Sequence, residues 1–142
     1  MPTEFQAQCD AIEECYEFTL SYAALGHATD EGTPQGRQLR DHLARSVAAM
    51  RGLEASAAAA LKSEQLTPAA PYEKFFAVLA RDAQDSIAAI ELVLAQPAIS
   101  SQLIDNLNAS IHVRALLTDL FLIAEILESH QARAAASQPA AG

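Results

Sequence analysis

The run Ile111 to Glu128, IHVRALLTDLFLIAEILE, limits what this chain can fold into more than any other stretch. Arg114, Thr118, Asp119, Glu125 and Glu128 interrupt it, and Arg114, Thr118, Glu125 and Ser129 mark a narrow polar edge rather than half a helical circumference. A helix on the surface of a globular domain needs an apolar stripe only a little over 100° wide. This run exceeds that, and Leu122 and Phe121 fall opposite the core without a polar role. The run is therefore expected to form the central helix of a bundle and to leave apolar surface over.

The remaining segments read as partners for it. Hydrophobic residues make up 51% of the 142 but aromatic residues only 6%, and alanine dominates. Such a mixture favours helices, because alanine loses the least entropy in one, while Val, Ile and Thr are too scattered for strands. A first helix is expected from Thr3, a suitable N-cap, to about Leu25, with Phe5, Cys9, Ile12, Tyr16, Thr19 and Ala23 on one face. Gly26 suits its C-terminal cap, and HATDEGTPQG is the clearest loop and the expected place for mobility. A second helix, from Gln35 to Glu64, carries Leu39, Leu43, Val47, Met50, Ala57 and Leu61. Pro68 and Pro71 separate it from a third, whose stripe is Tyr72, Phe76, Leu79, Ala83, Ile87, Ile90 and Leu94. A fourth is expected from Ile99–Ser101 to about Ala135. Asn106, Asn108 and Ser110 weaken its first third, since short polar side chains compete for backbone hydrogen bonds, and a kink or break is expected there.

Charge narrows the partners. A formal net charge of −9 opposes nucleic acid and anionic membranes, which attract basic surfaces. From Met1 to Glu31 there are acids (Glu4, Asp10, Glu13, Glu14, Glu17, Asp30 and Glu31) and no Lys or Arg, whereas Arg37, Arg40, Arg45, Arg51 and Lys62 make the second helix basic. These two helices are expected to be neighbours with partly complementary faces. Cys9 and Cys15 are separated by about 9 Å of rise and some 240° of turn in one helix, so they do not bridge each other and read as buried free thiols. With no basic start, apolar signal core or membrane-length run, the expected location is the cytoplasm.

Motifs that carry chemistry are sparse. A bundle that holds two metals characteristically supplies Glu-x-x-His pairs, and this chain has none; His112 with Asp105 or Asp119 makes only an unspecific metal site. Arg37 and His42 have the Arg-x4-His spacing and so loosely resemble HEPN ribonucleases, in which such a pair acts on RNA, although Gln38 departs from the small polar residue usual there. His42-Leu-Ala-Arg-Ser46 distantly resembles the histidine phosphotransfer domains. That likeness implies His42 as phosphoryl acceptor with Arg45 as the stabilising cation, although Ser46 replaces the family's glycine and Ala44 its leucine. There is no Gly-x-Ser-x-Gly, phosphate loop or Cys-x-x-Cys.

Together these features predict an all-α, four-helix up-down-up-down bundle with long second and fourth helices. It is expected to be one domain over residues 1–135, with a disordered tail at 136–142. The expected function is a non-enzymatic interaction protein, adaptor- or chaperone-like, with no cofactor or metal. It is expected to form a homodimer through helix four, with Leu117, Phe121, Leu122 and Ile126 at the interface, and to bind no nucleic acid or membrane. The alternative is histidine phosphotransfer at His42 with Arg45, and a third is a metal- or small-ligand-binding bundle.

Overall fold

Thr3 caps the first helix, its hydroxyl oxygen accepting the Gln6 N–H at 3.1 Å, and α1 follows as Glu4–Ala24. In the computed structural model, which describes residues 3–137, four further helices follow: α2 Pro34–Ser63, α3 Ala69–Leu94, α4 Ser101–Ala109 and α5 Ile111–Ser137. Helices α2, α3 and α4 begin where the sequence supplies a start signal. Thr33 accepts from Gly36 N–H with Pro34 in the first turn of α2, and Ser100 accepts from Leu103 N–H at 3.0 Å ahead of α4. Pro71 lies in the first turn of α3. Gly26 and Gly32 adopt positive φ, +71° and +74°, in the loop between α1 and α2.

The expected four helices are corrected to five. Ser110 takes an extended conformation, φ −64° and ψ 148°, and its N–H turns back to the Asn106 and Leu107 carbonyls while its hydroxyl donates to Leu107 O at 2.6 Å. The weak helical run Asn106 to Ser110 thus ends one helix and starts another. The break redirects the chain: α4 packs chiefly on α1, whereas α5 packs chiefly on α3. The end of the chain also differs from expectation, since Ala136 and Ser137 are helical; the rest of the expected tail lies outside the described residues.

The core is built from the stripes, with Ile12, Leu39, Leu43, Leu53, Leu79, Ile99, Ile104 and Leu116 fully enclosed. Each such side chain contributes roughly 1.5–3 kcal/mol of burial. The first stripe is wider than expected: Cys15 and Tyr22 are buried as well, while Tyr16 and Ala23 pack half-buried against the core. The complementary charges of α1 and α2 form no ion pair among the described residues; the two that occur are Arg40–Asp30 and Arg51–Glu91. Pairs between exposed helix faces are worth about 0–1 kcal/mol, too little to order long side chains.

The loop expected to be mobile is instead fastened. Asp30, only 5% exposed, accepts Arg40 Nε at 2.6 Å and the Ile99 N–H at 2.6 Å. Arg40 also donates to the carbonyls of Leu94 and Gln96, capping the end of α3. Tyr22 donates its hydroxyl to Ile99 O at 2.7 Å, and Ser101 exchanges hydrogen bonds with His27 and Tyr22. Gly36 is required beside this clasp, because a Cβ there would collide with the Asp30 carbonyl.

Candidate interaction surface

Helix α5 meets the rest of the molecule unevenly. Val113, Leu116, Leu117, Leu120 and Ile123 face the core, while Phe121, Leu122 and Ile126 remain 53%, 51% and 41% exposed. Of the residues expected at an interface, the structure therefore leaves three on the surface together. Leu117 is the exception: at 5% exposed it belongs to the core, because it shares a face with Val113 and Leu120.

Beside this exposed strip lies a groove of about 370 Å³. Leu122 and Ile126 form its α5 wall, Tyr72 and Phe75 its α3 wall, Leu66, Pro68 and Pro71 its end, and Ala57 and Phe76 are among its floor. No charged residue lines it. Small alanines on α2 keep the floor low, so neighbouring large side chains stand up as walls. A second cleft, of about 410 Å³, separates α5 from α1 and α2 on its other side and is bordered by Glu4, Glu64 and Glu128. At its far end α5 is tied down by polar contacts: His130 Nε2 lies 2.9 Å from Glu64 O, an orphan carbonyl at the end of α2, and Gln131 donates to Glu64 Oε1.

The groove was not read from the sequence. Its aromatic wall comes from Tyr72 and Phe75, which are half-buried, and the signal was the Phe75-Phe76 doublet: two adjacent aromatics cannot both face the same core. Asp119, expected only as one polar interruption of the apolar run, is 7% exposed. Burial pushes its carboxyl up, and a hydrogen-bonded, like-charged Asp82 on α3 raises it further, to about 7.

The expected phosphoacceptor has a different setting. His42 is half-buried, its ring stacked on Phe18 of α1 at 4.6 Å, and Arg45 Nη2 lies 3.4 Å from its Nδ1. Burial, followed by the Arg45 charge, lowers its pKa and favours the neutral ring. Ser46, in the position of the phosphotransfer glycine, is buried. Arg37, the other half of the Arg-x4-His spacing, is exposed at the first turns of α2.

Cys9 and Cys15 are buried free thiols, pushed up by burial to about 12 and about 11, so neither is a thiolate near neutral pH. Among the described residues no group of three or more His, Cys, Asp and Glu is placed to hold a metal ion, and no helix is long and apolar enough to cross a membrane. No protein family, curated protein or solved structure matches this chain.

Proposed function

We propose that this protein acts through protein contacts, as a scaffold or adaptor-like helical domain that pairs with a second copy of itself through α5. The observation that supports this reading is the adjacency of a projecting ridge and a receiving groove on one face. Phe121 stands 53% exposed immediately before Leu122, which forms the groove wall. A patch that carries both ridge and recess is self-complementary, as a twofold interface requires, since each copy then offers the other both parts. The uncharged lining favours an apolar occupant, and Phe121 is the large exposed aromatic closest in sequence to that wall. The net charge of −9 also favours an uncharged contact face, because two copies of this chain repel each other elsewhere.

Sedimentation velocity from about 1 to about 100 μM is the direct check, a span of concentration that covers ordinary reversible dimers. A mass that rises to twice the chain mass supports the pairing, and Phe121→Asp then returns it to the single chain with an unchanged helical circular-dichroism signal. A single-chain mass throughout overturns it. Histidine phosphotransfer at His42 keeps one supporting observation, the neighbouring Arg45 guanidinium. Stacking on Phe18 hinders the in-line approach of a phosphodonor, and absence of acid-labile label after incubation with a small phosphodonor removes that reading.

A further inference from the structure

The contact between α3 and α5 contains a buried acid that the proposed interface does not use. Asp119 lies within the core-facing residues of α5, and its Oδ2 is enclosed without any hydrogen-bond partner. Neither ion pair among the described residues reaches it. Asp82, half-buried on α3, is the charged group set against it, while its α3 neighbours Arg81 and Asp85 are exposed. The other elements bring no compensating cation. The buried titratable side chains of α1 are Cys9, Cys15 and Tyr22, all raised by burial and so neutral near pH 7, while α2 and α4 bury none. On α5 itself the neighbouring charges, Arg114 and Glu125, are exposed and more than a turn away, and His112 is two turns back.

We propose that the Asp82–Asp119 pair is a proton-operated latch on α5, which seats the helix on α3 while the two carboxyls share a proton and loosens it when that proton leaves. A shared proton makes one carboxyl the donor and the other the acceptor. Two ionised carboxylates at the same place repel each other in a poorly solvated contact that holds no donor to replace the proton. Helix α5 is the element placed to respond. It rests chiefly on α3, clefts flank it on both sides, and the single extended residue Ser110 joins it to α4. Leu122 and Ile126 of the groove wall lie one and two turns beyond Asp119, so the latch also sets the width of the groove.

The direction follows from the raised acid. A carboxyl that binds its proton more tightly in the seated state contributes most in acid, and that contribution falls as pH rises from the ordinary carboxylate range to about 7, after which it is constant. The latch acts within one chain and stands or fails separately from pairing. Amide hydrogen exchange, corrected for the intrinsic pH dependence of the chemistry, reads it directly in the wild-type chain and in Asp119→Asn. In the wild type, opening of residues 111–126 is expected to rise by up to about tenfold per pH unit between about pH 5 and about pH 7 and then level off. Asp119→Asn is expected to flatten that rise while exchange in α2 is the same in both proteins. Identical pH profiles for the two proteins overturn the latch. If the variant does not fold, the carboxyl ¹³C shift of Asp119 in the wild type decides: titration near neutrality supports the latch, and titration near pH 4 overturns it.

Discussion

Asp30 and Asp119 are comparably buried, at 5% and 7% exposed, and their surroundings are opposite. Asp30 receives a guanidinium and a backbone N–H, and these donors more than offset the burial that would otherwise raise it, so its pKa is lowered. Asp119 receives no donor but a proton, because the group across from it is another acid, and its pKa is raised. Burial alone therefore does not decide what a carboxylate does in a fold; the donors brought to it by distant parts of the chain do. One end of the molecule uses an ionised aspartate to fasten a loop, and the α3–α5 contact holds one that is comfortable only when neutral.

The largest test of this contrast is Asp30→Ala. It leaves the Arg40 guanidinium and the Ile99 N–H without their acceptor, and the expected loss is about 3 kcal/mol in urea unfolding at neutral pH. Asp119→Leu is expected to act in the other direction, stabilising by about 1–2 kcal/mol at neutral pH because a poorly satisfied polar group is replaced by an apolar one of similar size. A loss as large as that of Asp30→Ala would mean that Asp119 has a donor after all. The smallest effect, and the sharpest, lies in the pH dependence. Asp30, held below its unfolded value, contributes stability above the ordinary carboxylate range and loses it as pH falls through its lowered folded pKa. Asp119, held above, contributes in acid and loses that contribution as pH rises towards about 7. Unfolding free energies of Asp30→Asn and Asp119→Asn across this range should therefore diverge from the wild type at opposite ends; parallel curves would erase the distinction.

Much of the fold could be read locally. Thr3 and Ser100 act as the caps their residue types favour, the stripes of α2 and α3 face inward, and the polar stretch Asn106 to Ser110 gives way as its composition implies. What could not be read depends on partners far along the chain. The burial of Asp30 is made possible by Ile99, 69 residues later, and by Arg40, which the sequence marks only as one of the bases of the second helix. The burial of Asp119 follows from its position, three residues after Leu116 and four before Ile123 in the middle of an inward face, which its residue type alone does not signal. The exposure of Phe121 and Leu122 was legible from the excess of apolar residues, but the groove beside them needed the pairing of α5 with α3.

The break at Ser110 has a mechanical meaning. A tension applied at the far end of α5 acts first on Gln131 and His130, then on the groove walls, and peels the helix from α3 turn by turn. At Ser110 the load reaches a residue with no helix continuing through it, so the pull turns a corner instead of travelling down a rigid rod into α4. Helix α4 behind it is held separately, through the hydrogen bonds of Ser101 to Tyr22 and His27.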